Sequence, residues 1–176
     1  MLNGKMPLLV SDYVFVGIDP GTTGAITVLY LNRNKPPVVF PLDKKSPQDI
    51  ADFLDRIKGK KAEPFFLIEK VHGAGVAFST GGRAGGKVMF NFGWSAGMLY
   101  GLCVRRQLAE VSPVSWQKEF ALVGHRKTKK KMSSNEKKTM HQAKARRLFP
   151  ELHVTQKTAD SVLIALYCRR HYRSLF

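Results

Sequence analysis

The chain has 176 residues, 44% of them hydrophobic, and includes 11 Phe. These numbers are sufficient for one packed domain with a long functional loop, and they exclude a wholly disordered chain. Lys and Arg number 29 against 13 acidic residues, which gives a formal charge of +16 and a pI near 10.1. This surplus predicts phosphate binding. Nucleic acid is favoured over an acidic membrane surface, because no basic amphipathic helix with aromatic residues on its other face stands out.

The sequence predicts an intracellular, cytoplasmic protein that does not span a membrane. It contains no run of about 18 apolar residues, the minimum for a membrane span. The segment from Met1 to Ser11 is not followed by the cleavage site of a signal peptide. Cys103 and Cys168 lie in apolar segments without metal-ligand spacing or a nearby base, so both are predicted to be reduced and buried.

The first part of the chain predicts three strands in an antiparallel meander, then a helix and a fourth strand. The strands are apolar runs between short polar turns: Tyr13–Ile18, Ala25–Leu31 and Val38–Leu42. The helix is capped by Ser46, with Pro47 at its first position and Asp49 where a capping box needs an acid. Its buried face is predicted from the spacing of Ile50, Phe53, Leu54 and Ile57. Pro64–Glu69 is a continuous apolar run ending in an acid, typical of a central strand.

The second part predicts one more strand and four helices. Val88–Arg106 is a predicted helix with Gly93, Gly97 and Gly101 along one side. Each glycine costs roughly 1 kcal/mol relative to Ala, so we expect the sheet or a partner helix to approach there. The remaining elements are the strand Leu108–Ser112 and the helices Pro113–Leu122, Thr139–Phe149 and Thr158–Arg170. A basic loop at about 124–138 interrupts them, and residues 1–176 form a single domain in the order β-β-β-α-β-α-β-α plus terminal helices.

Three acidic residues stand where a cation site would need them. Asp19 follows the first strand and precedes a Pro-Gly turn, Glu69 ends the fourth strand, and Asp160 begins an apolar helix. Either strand acid alone could be a capping or salt-bridging residue. Two such acids on adjacent strands would repel each other unless a cation lay between them. Three carboxylates suit Mg²⁺ or Mn²⁺, whereas scattered His and the absence of a CxxC pattern argue against zinc.

Six short segments of this sequence occur in a characteristic order between Tyr13 and Tyr167. They are the strand leading to Asp19-Pro20-Gly21, Ile68–His72, the Phe90–Gly101 helix, Pro113–Lys118, Leu148–Pro150 and Ala159–Ser161. Together they resemble the RuvC family of Holliday junction resolvases, particularly its phage-type members. The resemblance implies an α/β, RNase H-like fold with a five-stranded mixed β-sheet flanked by α-helices.

The resemblance also implies a function. The chain is expected to be a crossover junction endodeoxyribonuclease, a homodimer that nicks opposing strands of branched DNA symmetrically. Asp19, Glu69 and Asp160 are the expected ligands of Mg²⁺, with Mn²⁺ also accepted and two ions per site. Such ions generate hydroxide for in-line attack on the phosphodiester and stabilise the leaving oxygen. The phage-type pattern favours a viral protein acting in the host cytoplasm.

One position departs from the family pattern. The family has an Asp or a His three residues before the last acid, and this chain has Lys157 there. One helical turn separates Lys157 from Asp160, so the two are predicted to share a face. The ammonium could offset phosphate charge where a second metal ligand would otherwise lie, or it could only balance local charge. His153 is an alternative ligand. We count Lys157 with the catalytic candidates.

Two basic segments form the predicted DNA-binding surface. From Arg126 to Arg147, ten of 22 residues are Lys or Arg, and this segment lies between the helices of Trp116 and Asp160, where it would follow the phosphate backbone. The glycine-rich loop His72–Lys87 is the other candidate. In it Phe78 either stacks on a base or is tucked under the loop. The predicted DNA-binding residues are Phe78, Arg83, Lys87, Arg126, Lys127, Lys129, Lys130, Lys131, Lys137 and Lys138.

Two other functions stay open. Gly17–Gly24 resembles the first phosphate loop of the ATP-binding sugar-kinase, actin and Hsp70 group, which shares the core fold. Proteins of that group need two lobes and have no reason for such a basic charge, and an ATP-binding assay would separate them. The second alternative is a non-catalytic relative that binds junctions as a scaffold, for which Lys157 is the sequence support.

Overall fold

The computed structural model describes residues 13–31, 35–58, 63–71, 86–123 and 132–176. Within these ranges the chain forms five strands and five helices, in the order that the sequence predicts. In chain order they are β1 (Val14–Asp19), β2 (Ala25–Tyr30), β3 (Val38–Pro41), α1 (Pro47–Asp55), β4 (Phe65–Glu69), α2 (Gly86–Cys103), β5 (Gln107–Val111), α3 (Pro113–Glu119), α4 (Ser134–Leu148) and α5 (Ala159–Leu175). None of the helices described is long and apolar enough to cross a membrane.

The five strands form one mixed sheet in the order β3-β2-β1-β4-β5. The pairs β1–β2 and β2–β3 are antiparallel, which confirms the predicted meander, whereas β1–β4 and β4–β5 are parallel. In the parallel pair at the centre, Ile18 lies beside Ile68. Asp19 and Glu69 each follow one residue later, so both acids reach the same edge of the sheet.

Helices cover both faces of the sheet. Side chains alternate along a strand, so β1 directs Phe15 to one face and Val16 and Ile18 to the other. The first face packs against α3, α4 and α5, and Trp116 is fully buried there. The second face packs against α1 and α2, which contribute Leu54 and other apolar side chains. Three layers therefore enclose two cores, one on each side of the central strands.

Helix α5 lies unusually close to β1. A Cβ atom placed on Gly17 would overlap the backbone nitrogen of Ala165 and lie 2.5 Å from the carbonyl oxygen of Ser161. The hydroxyl groups of Ser161 and Thr27 are hydrogen-bonded at 2.8 Å in the buried layer between α5 and β2. These contacts hold the first two turns of α5, which carry Asp160, directly against the sheet.

Several local predictions are confirmed. Ser46 and Asp49 form both hydrogen bonds of a capping box at the start of α1. The predicted apolar face of this helix is buried, comprising Ile50, Phe53, Leu54 and the following Ile57. Cys103 and Cys168 are free and buried, and burial raises the pKa of the Cys103 thiol to about 11.

Three local predictions need correction. Helix α4 begins at Ser134, not Thr139, because Ser133 and Glu136 form a capping box that overrides the lack of apolar periodicity. The last five residues of the predicted basic loop are therefore helical. Separately, helix α5 continues to Leu175, beyond its predicted end at Arg170. The sheet does not approach the glycines of α2: a Cβ on Gly93 or Gly97 would meet no described atom within 4 Å.

Candidate active site

Asp19 is held at the end of β1 by the turn that follows it. The backbone N–H of Gly21 donates a hydrogen bond of 3.2 Å to Asp19 Oδ1. A Cβ on Gly24 would overlap the Asp19 carbonyl oxygen and lie 2.9 Å from its Cγ, so only glycine fits beside this carboxylate. Ser95 of α2, which is buried, donates to the carbonyl oxygen of Pro20 at 2.9 Å. The turn and α2 together restrict the orientation of the carboxylate.

Glu69 ends the parallel neighbour of β1 and contacts the indole of Trp116. Trp116 Nε1 donates to Glu69 Oε1 at 3.2 Å. Trp116 lies on α3, which begins after Ser112, whose side chain accepts a hydrogen bond from the backbone N–H of Ser115. Because the indole ring is fully buried, it can orient the carboxylate without itself moving.

Asp160 lies in the first turn of α5 and contacts His141 of α4. The distance from His141 Nδ1 to Asp160 Oδ1 is 2.7 Å. A carboxylate only accepts hydrogen bonds, so the imidazole is the donor. The His141 ring is buried and meets Trp116 edge-on, with ring centroids 5.3 Å apart and planes at 75°. Glu69 is therefore hydrogen-bonded to Trp116, and Asp160 is hydrogen-bonded to His141. The two aromatic rings contact each other.

The charges of neighbouring predicted acids act on the protonation of the two strand acids, Asp19 and Glu69. Burial, together with the charges of Asp19 and Asp160, raises the pKa of Glu69 to about 8. Burial and the charge of Asp160 also raise the pKa of Asp19, and the Gly21 N–H and the Lys138 ammonium partly offset this increase. The structure thus brings Asp19, Glu69 and Asp160 to one site. For Asp19 and Glu69, this proximity was predicted from their positions at the ends of two strands.

The donor chemistry of this site suits a hard divalent cation. Three carboxylates supply the oxygen donors that Mg²⁺ and Mn²⁺ prefer. The pKa values of Asp19 and Glu69 are raised first by burial and then by the neighbouring acidic charges, and a bound cation would offset both effects. In the part of the chain that the structure describes, no group of three or more His, Cys, Asp and Glu side chains is arranged so that it could hold a metal ion. The site therefore suits a divalent cation by the type of its donor atoms, while the described side chains are not arranged as a complete set of metal ligands.

Lys157 lies in the turn before α5, one residue before the predicted helix start at Thr158. Its ammonium forms an exposed ion pair of 2.8 Å with Asp43 Oδ2, which lowers the pKa of Asp43. His153 is exposed in the segment between α4 and α5.

The predicted DNA-binding residues are only partly described. Lys137 and Lys138 are exposed in the first turns of α4, and Lys138 is near enough to Asp19 to lower the pKa of that acid. Lys87 is the second residue of α2, and its side chain is not described. The remaining predicted residues lie outside the described ranges: Phe78, Arg83, Arg126, Lys127, Lys129, Lys130 and Lys131.

Sequence reasoning did not assign His141 or Gly17 to the site, and it noted Trp116 only within a motif. Trp116 lies 47 positions from Glu69, and His141 lies 19 positions from Asp160. No local pattern marks such pairs. Gly17 could have been found, because a glycine inside a buried strand often marks close approach by another backbone.

Comparison with known proteins agrees with this architecture. No protein-family model matches the chain, and no curated protein matches it significantly by sequence. Among solved structures, the chain is similar to T. thermophilus RuvC in complex with a Holliday junction substrate, with a TM-score of 0.56 and 14% identity. The superposition covers 91% of this chain and 95% of that one. The chain has the RuvC fold. The predicted five-stranded mixed sheet with flanking helices is thereby confirmed.

Proposed function

We propose that this protein is a metal-dependent endonuclease that resolves Holliday junctions and related branched DNA by paired, symmetrical nicks. The observation that carries the proposal is the convergence of Asp19, Glu69 and Asp160 at one edge of the sheet, where burial and mutual repulsion raise the pKa values of the two strand acids. The RuvC fold supports it, because the similar T. thermophilus protein was solved with a junction. The charge of +16 supports a polyanionic substrate.

The residues that would hold Mg²⁺ or Mn²⁺ are Asp19, Glu69 and Asp160. Each site would bind up to two ions. Bound ions of this kind lower the pKa of water and stabilise charge on phosphate and leaving oxygens. The chain itself orients the ligands: the turn at Gly21 restricts Asp19, and the Trp116 indole restricts Glu69. Lys138 places a positive charge at the rim of the site, where a phosphate would approach.

A cleavage assay on a four-way junction tests the function. We expect Mg²⁺-dependent nicks at symmetrical positions from the wild type, and a loss of about 10³-fold in Asp19→Asn, equivalent to about 4 kcal/mol of transition-state stabilisation. Junction binding should persist in that variant, since the charge change leaves the basic surface intact. Tight binding without cleavage in Mg²⁺ and Mn²⁺ would mean a scaffold, and ATP binding without junction binding would favour the ATPase-like alternative.

Lys138 is expected to contact a DNA phosphate. Lys138→Ala should weaken junction binding and reduce the log–log salt dependence of affinity by about one unit, as measured by fluorescence anisotropy across a salt series. Lys58→Ala is the matched control, because Lys58 is exposed beyond α1, which covers the opposite face of the sheet. Equal salt slopes for the two variants would contradict this role of Lys138.

The exposed side of α2 supports a homodimer. Phe90 and Trp94 are 69% and 54% exposed, and Gly93 and Gly97 leave open space beside them. A second copy packed there would remove this apolar surface from water. Trp94→Ser should shift the sedimentation profile toward monomer, whereas Val104→Ser, at a similarly exposed residue beyond α2, should not. A wild type that sediments as a monomer at every concentration tested would contradict the dimer.

A further inference from the structure

Asp160 is the acid whose position depends most on a side-chain partner. Asp19 pairs with Ala25 of β2 and Glu69 pairs with Val111 of β5, so strand pairing holds the backbone of each acid on one side. Asp160 lies in the first turn of α5, where Thr158 makes no capping hydrogen bond with its side chain. The Asp160 side chain is 27% exposed. The strand acids thus have restraints from the sheet that Asp160 does not have.

His141 supplies the missing restraint. Its Nδ1 lies 2.7 Å from Asp160 Oδ1, a short hydrogen bond to a charged acceptor. Among the described residues, the hydrogen bond of this carboxylate uses Oδ1, so Oδ2 is open to another ligand within that part of the chain. An imidazole that donates to an acidic ligand fixes the orientation of that ligand.

The imidazole is itself held firmly. Its side chain is 8% exposed, and it packs edge-on against Trp116, which is fully buried and bonded to Glu69. A ring restrained in this way can transmit its position to Asp160.

We infer that His141 is a positioning residue that holds Asp160 in the orientation needed to bind a divalent cation together with Asp19 and Glu69. This inference rests on the proposed function, because it concerns the same acidic site. It assigns no ligand role to His141: the residue acts through the Asp160 carboxylate. It also identifies α4, rather than the turn containing Lys157, as the element that completes the surroundings of Asp160.

Mn²⁺ binding measured by electron paramagnetic resonance, without DNA, tests the inference. His141→Leu keeps a side chain of similar bulk but removes the donor, so Mn²⁺ affinity should fall by about 10- to 100-fold. His141→Asn retains an N–H near the position of Nδ1 and should recover most of the affinity. In cleavage assays at saturating junction, His141→Leu should lower kcat and leave junction affinity unchanged.

Gln142→Leu is the matched control, because it removes a hydrogen bond from the same turn of α4 without touching the acids. It should lower thermal stability but leave Mn²⁺ affinity at the wild-type value. Equal Mn²⁺ affinity in His141→Leu and wild type, or an equal loss in Gln142→Leu, would overturn the inference. If His141→Leu does not fold, His141→Gln replaces it, since its amide lies one carbon beyond the Nδ1 position. Equal affinities for the Gln and Asn variants would likewise overturn it.

Failure of the proposed function gives a different result. A wild type that neither binds Mn²⁺ nor cuts a junction overturns the nuclease proposal and the role of His141 with it. A wild type that binds and cuts, with a His141→Leu variant that does both equally well, overturns only the role of His141.

Discussion

Gly17→Ala is expected to lower the free energy of unfolding by about 3 kcal/mol, at the upper end for overpacking of a core. The added methyl group would overlap the backbone of Ala165 and crowd the Ser161 carbonyl. Backbone atoms cannot rotate away as a side chain can, so α5 must shift as a whole. Since α5 carries Asp160, the shift should also weaken Mn²⁺ binding. Urea denaturation followed by circular dichroism measures the first effect.

Gly86→Ala is the control for this substitution. A Cβ at Gly86 would meet nothing within 4 Å among the described atoms, and exposed substitutions of this kind usually change stability by less than about 0.5 kcal/mol. The two variants are compared by the midpoint and the slope of their urea denaturation curves. If these values are the same for Gly17→Ala and Gly86→Ala, then β1 and α5 are not packed as closely as the structure describes.

Asp19→Asn is expected to stabilise the metal-free protein at pH 8 by about 2 kcal/mol. Burial and the Asp160 charge raise the pKa of Asp19 above its ordinary value of 3.8. Between that value and the raised one, the native state binds more protons than the unfolded state, so wild-type stability falls as pH rises through this window. Asparagine carries no charge and removes this loss. Below about pH 4 the acid is protonated in both states, so the charge contributes no difference there.

Denaturation in the presence of EDTA at several pH values measures this effect. Asp49→Asn is a control for which the opposite effect is expected. Hydrogen bonds from Ser46 lower the pKa of Asp49, so the charge of this acid stabilises the protein above about pH 4. The substitution should therefore destabilise the protein at pH 8. Added Mg²⁺ should stabilise the wild type more at pH 8 than at pH 5. A destabilised Asp19→Asn in EDTA at pH 8 would contradict the electrostatics described here.

Much of the fold follows from local patterns. The three meander strands, the buried strand before Glu69 and the capped helix α1 were all predicted, because apolar periodicity and capping chemistry act over a few neighbouring residues. The prediction was wrong for the start of α4, where a capping box at Ser133 and Glu136 outweighs a polar, basic composition.

The sequence by itself determined that acids end two central strands, because a charge after an apolar run is visible locally. Only the tertiary structure decided what those acids contact. His141 reaches Asp160 and Trp116 reaches Glu69 because α3, α4 and α5 pack on one face of the sheet. Lys157 pairs with Asp43 across 114 positions, and Gly17 matters only because α5 crosses it. Such pairings depend on packing between distant segments, which no short stretch of sequence encodes.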